Sequence, residues 1–118
     1  MKIAIIGAAG VRTPLLVHAL AMRQQKIGVT ELALMDIDEA HLELIGRITQ
    51  QLELEGGLGF KLVRTTSIES ALQGANFVIT TFRVGGIQSR VIDERVPLAH
   101  GILGQETTGP GGFAMAMR

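Results

Sequence analysis

Apolar residues fall along the chain in short runs and helical stripes that alternate with one another. Lys2 to Ile6 is an apolar run closed by Gly7, the pattern of a parallel strand buried on both faces. Thr13-Pro14 then opens a helix, with Thr13 as N-cap and Pro14 in the first turn, running to about Gln24. Glu31 to Met35 is a second apolar strand that ends at Asp36. Asp38 is placed to cap a long helix whose apolar stripe is Leu42, Ile45, Ile48 and Leu52. Gly56-Gly57-Leu58-Gly59 stops that helix, as a C-terminal cap and turn rather than a phosphate loop. Phe60 to Thr65 reads as a third strand, Ile68 to Leu72 as a short helix and Asn76 to Phe82 as a fourth strand. The closing stretch, Arg90 to Arg118, is too irregular for one element, and another helix begins near its end.

Strands alternating with helices at this spacing predict βαβ units, hence an α/β, Rossmann-like parallel sheet with flanking helices. A complete dinucleotide-binding fold has about six strands, and this chain supplies about four. The expectation is therefore a single incomplete domain over residues 1–118, the amino-terminal part of a longer protein.

Three stretches carry candidate chemistry. In Gly7-Ala8-Ala9-Gly10-Val11-Arg12-Thr13, a glycine at the strand end permits a tight turn, and small residues let backbone amides approach a pyrophosphate at a helix N-terminus. The stretch departs from G-x-G-x-x-G, because Ala9 and Arg12 replace glycines. Asp36, about 26 residues on at the end of the second strand, can accept hydrogen bonds from the ribose hydroxyls of NAD and would repel a 2′-phosphate. The bland alternative is a strand-to-helix turn beside a surface aspartate.

Thr80-Thr81-Phe82-Arg83-Val84-Gly85-Gly86 lies at the carboxyl end of the fourth strand, where open α/β sheets bind ligands. Arg83 either faces the cofactor or pairs with an acid. In the closing stretch, Arg90 offers a rigid fork for phosphate or carboxylate, yet Arg90, Asp93 and Glu94 also sit at the spacing of an ion-paired helix face. Spacing leaves that contest open. Gln105-Glu106-Thr107-Thr108, between Ile102-Leu103 and a Gly-Pro-Gly-Gly turn, places four polar side chains where a site wall would use them. His18, His41 and His100 lack metal-ligand spacing and read as structural, His100 as the end of a helix.

Composition narrows the classes. With 118 residues, 47% hydrophobic and 19% charged, the chain can build a real core. Eleven basic and eleven acidic residues cancel, which argues against a nucleic-acid partner. No apolar stretch approaches a membrane span and no leader precedes the first strand, so a cytoplasmic protein with no membrane partner is expected. There is no Cys and no Tyr.

Arg83-Val84-Gly85-Gly86, Arg90, Asp93-Glu94, Pro97-Leu98 and above all Gly104-Gln105-Glu106-Thr107-Thr108-Gly109-Pro110-Gly111-Gly112-Phe113 resemble glycoside hydrolase family 4, its 6-phospho-β-glucosidase members in particular. That family is the NAD-dependent exception to two-carboxylate glycoside hydrolysis. The resemblance implies oxidation of a phosphorylated sugar by NAD, elimination of the aglycone, addition of water and re-reduction. It implies that Gly7, Gly10, Val11, Arg12, Thr13, Asp36 and Arg83 hold NAD. It further implies that Arg90 and Gln105 hold the sugar phosphate substrate, and that Glu106 supports a tyrosine base. The base and the Cys and His ligands of a divalent Mn²⁺ are expected outside this chain, so the 118 residues alone would be inactive and the full-length parent the enzyme. Two other readings stand beside it. One is a malate- or lactate-type dehydrogenase, although Arg90-Val91-Ile92-Asp93 is one residue longer than that family's Arg-x-Asp-Leu pattern. The other is a non-catalytic nucleotide-binding module. An unfinished sheet exposes an edge strand, so a homo-oligomer is expected.

Overall fold

The computed structural model describes the backbone of residues 1–118 and the side chains of residues 1–52 and 56–118. The chain forms two compact units, Met1–Phe82 and Arg83–Arg118.

The first unit is a four-stranded parallel sheet: β1 (Lys2–Ile6), β2 (Glu31–Met35), β3 (Lys61–Thr65) and β4 (Phe77–Thr80), in the order β3-β2-β1-β4. Side chains alternate across a strand, so each central strand serves two cores. Ile3, Ile5, Leu32 and Leu34 meet Val17, Leu42, Leu58 and Phe60 on the face covered by α1 (Thr13–Ala21) and α3 (Glu39–Gly56). Ala4, Ile6, Ala33 and Met35 meet Ala71 of α4 (Ile68–Leu72) on the other. Burial on both faces explains why these strands are unbroken apolar runs.

Several expectations shift by a residue or two. Thr13 is the first residue of α1 and is buried; the N-cap is Arg12, which makes no side-chain capping bond. The helix expected to reach Gln24 ends at Ala21, and a separate turn of helix, α2 (Gln24–Ile27), follows. Asp38 does cap α3, its carboxylate accepting the His41 amide at 3.0 Å. In the α3 stripe, Leu42 and Ile45 are buried as expected, but Ile48 is 47% exposed and Thr49 is fully buried in its place. The Thr49 hydroxyl is accommodated there because it donates to the Gly46 carbonyl at 2.8 Å. β3 begins at Lys61, and β4 is shorter at both ends than expected.

The second unit consists of α5 (Gly86–Ala99), a connecting loop and α6 (Gly109–Ala116). Gly109-Pro110-Gly111-Gly112, expected as a turn, is the first turn of α6, with Pro110 in the position where its missing N–H leaves no bond unmade.

Candidate functional site

The end of β1 is built around one glycine. Gly7 has φ +89, and a Cβ there would lie 2.7 Å from the backbone nitrogen of Phe82. Both its conformation and its clearance exclude a side chain. The Gly7 and Ala8 amides both donate to the Met35 carbonyl at 2.9 Å, and the Thr81 hydroxyl donates to the Gly7 carbonyl at 2.6 Å. The turn is thus tied to β2 on one side and to the end of β4 on the other. Gly10 differs, since a Cβ there would meet nothing closer than the Gly7 carbonyl oxygen at 3.9 Å. No packing within the protein requires a glycine at that position.

Asp36 closes this corner. Its Oδ2 accepts the Ala9 amide at 2.9 Å and its Oδ1 accepts the Asp38 amide at 3.1 Å. A half-buried carboxylate is thereby fixed beside the glycine turn, at the carboxyl edge of the sheet. Next to it, Gly10, Val11, Arg12, Thr13, Leu16, Thr80 and Thr81 line a cleft of about 560 Å³. It lies between the end of β4 and the start of α1, at the switch point of the strand order. No side chain caps α1; the Thr13 amide, in its first turn, donates instead to the Gly10 carbonyl at 3.0 Å. Five of the seven residues expected to hold a cofactor, Gly7, Gly10, Val11, Arg12 and Thr13, therefore line or shape one cleft, with Asp36 bonded to its turn.

Arg83, the seventh, lies in the second unit and is engaged with an acid. Its Nη2 donates to Oε1 of Glu106, and its Nη1 approaches the Met115 sulfur at 3.3 Å. Glu106 also pairs through Oε2 with Arg90 Nη2 at 3.1 Å, and Arg90 Nε donates to Glu94 Oε1 at 2.7 Å. Glu94, Arg90, Glu106 and Arg83 form a continuous chain of alternating charge, each group half-buried. The hydrogen bond to Glu94, reinforced by the charge of Glu106, holds the Arg90 guanidinium above its ordinary pKa. Gln105 is exposed, and its side-chain oxygen accepts a bond from the Thr108 hydroxyl.

Backbone approach sets this geometry. A side chain at Gly104 would collide with the Glu94 carbonyl, and one at Gly111 with the Gln105 carbonyl. The glycines around Glu106 thus let its loop lie directly on α5. Asp93, buried on α5, is paired with Arg118. Nothing in the spacing of these two, 25 residues apart, signals that pair. The tie of Thr81 to Gly7 was equally hidden, because a hydroxyl at a strand end has many uses. Among the described residues no group of three or more His, Cys, Asp or Glu is placed to hold a metal ion. His41 is occupied by Asp38 at 2.6 Å as part of the α3 cap.

The comparisons with known proteins agree along the whole chain. The model for family 4 glycosyl hydrolases matches residues 2–118. A probable 6-phospho-beta-glucosidase of Bacillus subtilis is 39% identical over 120 residues, covering 100% of this chain and 27% of that protein. A 6-phospho-alpha-glucosidase of Lacticaseibacillus paracasei is 35% identical, covering 99% of this chain and 26% of its own length. The chain superposes on the 6-phospho-beta glucosidase of Thermotoga maritima, solved with NAD and glucose-6-phosphate, with a TM-score of 0.91 at 37% identity. That match covers 99% of this chain and 28% of the other. A further structure of the Thermotoga enzyme contains manganese as well. The chain thus spans about a quarter of the length of the relatives it matches. It belongs to glycosyl hydrolase family 4 and carries that family's Rossmann-like parallel sheet.

Proposed function

We propose that the protein bearing this chain is an NAD-dependent 6-phospho-β-glucosidase, with the first unit as its cofactor-binding part. The observation that carries the reading is the Asp36 carboxylate locked to the Ala9 amide at a glycine turn that opens on a cleft. Relatives over the whole chain supply the substrate class. The residues suit NAD: Gly7 and Gly10 leave room at the turn, and Val11, Arg12 and Thr13 at the start of α1 line the cleft a pyrophosphate would occupy. Asp36 retains carboxylate lone pairs for ribose hydroxyls. When bound, NAD supplies a hydride acceptor and donor for C3 of the sugar.

In the second unit, Arg90 takes the sugar 6-phosphate, with Gln105 as a further polar contact, and Glu106 acts on the base that removes the C2 proton. Arg83 holds Glu106. Manganese is bound by a relative, but the described residues offer it no ligand cluster, so no metal role is assigned to them. A phosphorylated sugar does not cross a bilayer unaided, which favours a cytoplasmic enzyme. No described helix is long and apolar enough to cross a membrane. A 6-phospho-α-glucosidase is the second reading, because relatives of that specificity match at 35% identity.

Hydrolysis of aryl 6-phosphoglucosides of both anomers in D₂O tests this. A C2 proton handed to a base exchanges with solvent before it returns. Turnover is expected to require NAD and to leave deuterium at C2 of the glucose 6-phosphate released. Turnover without NAD, or without deuterium at C2, would overturn the assignment. Faster turnover of the α-anomer would favour the second reading.

A further inference from the structure

We infer that Glu94 is a positioning residue for phosphate recognition: it holds the Arg90 guanidinium by its Nε so that the outer edge of the fork is presented to the 6-phosphate. The inference rests on the assignment of Arg90 as the phosphate ligand. Arg90 and Glu94 are one turn apart on α5, and the Nε–Oε1 distance of 2.7 Å is that of a charge-assisted bond. Glu106 takes Nη2 from the same edge at 3.1 Å. The two carboxylates therefore hold the Nε and Nη2 side together. An arginine with a free stem loses rotamer entropy when it grips a dianion; one already held at Nε loses less.

Glu94 is itself fixed. It is half-buried, and its own carbonyl lies where a side chain at Gly104 would fall, so the loop bearing Glu106 sits against this turn of α5. The charge of Glu94 is of no direct use to a phosphate, which it repels. What it contributes is reach and direction.

Two substitutions separate reach from charge. E94Q keeps an oxygen at the same distance and removes the charge, whereas E94D keeps the charge and withdraws it by about 1.5 Å, one carbon–carbon bond. KM and kcat for an aryl 6-phosphoglucoside are measured on the whole enzyme, with NADH affinity as the check that each variant is folded. E94D is expected to raise KM about tenfold with kcat changed far less. E94Q is expected to restore KM to within about threefold. Equal KM for E94D and the parent, or E94Q as impaired as E94D, would overturn the inference. R90M serves as the control. If it raises KM while E94D does not, only the role of Glu94 fails; if R90M itself leaves KM unchanged, the phosphate assignment fails with it.

Discussion

Gly7 is the residue on which the corner at the end of β1 depends most. Replacement by alanine puts a Cβ against Phe82 and forces φ +89 on a residue that disfavours it. G7A is expected to lower stability by about 2 kcal/mol, read from the midpoint of urea unfolding, and to abolish NADH binding. Gly10 behaves oppositely, because among the described residues nothing comes closer to a Cβ there than the Gly7 carbonyl oxygen at 3.9 Å. G10A is expected to leave the urea midpoint nearly unchanged, and, with Gly10 in the NAD site proposed above, to weaken NADH alone. The sequence already marks Gly7 and Asp36, one as a glycine at a strand end and the other as an acid closing the next strand. It could not distinguish the two glycines. That difference arises from Phe82, which folding brings back beside Gly7 from 75 residues away. The partner of Arg83 was hidden for the same reason, since Glu106 follows it by 23 residues.

At the scale of elements, periodicity identifies which face of α3 is buried but misplaces one contact. A stripe of Leu42, Ile45, Ile48 and Leu52 is what a hydrophobic count selects, yet the helix rotates Thr49 inward and Ile48 outward. A buried threonine costs little once its hydroxyl bonds the Gly46 carbonyl. I48Q is therefore expected to change stability by less than about 0.5 kcal/mol, whereas L42A costs about 2–4 kcal/mol, both by denaturant titration. The strands β1 and β2 were legible to the residue because burial on both faces leaves no polar position inside them. The two helices of the second unit were obscured by glycines and prolines, which mark turns in most contexts and mark close approach in this one.

Charge also acts across elements. Lys2, Glu31 and Lys61 form a row over three neighbouring strands, at 3.1 and 3.6 Å. The hydrogen bond from Lys2, with Lys61 adding to it, holds the Glu31 carboxyl below its ordinary pKa. A carboxyl lowered in the folded state contributes stability above its unfolded pKa, about 4.3, and loses that contribution as pH falls through the lowered value. K2M is expected to make stability decline less steeply below about pH 4, measured by thermal melts from pH 3 to 7. An unchanged slope would remove Lys2 as the cause.

The whole molecule divides its tasks between its two units. The first supplies the parallel sheet, the turn and the cleft; the second supplies the chain of charges from Glu94 to Arg83. The corner closed by Asp36 is proposed above as an NAD site. Its most direct test is a fluorescence titration of the protein and of D36A with NADH and with NADPH. The account predicts saturable NADH binding, NADPH weaker by about tenfold or more, and loss of that preference in D36A. Equal binding of both nucleotides by the parent, or a preference that survives in D36A, would contradict it.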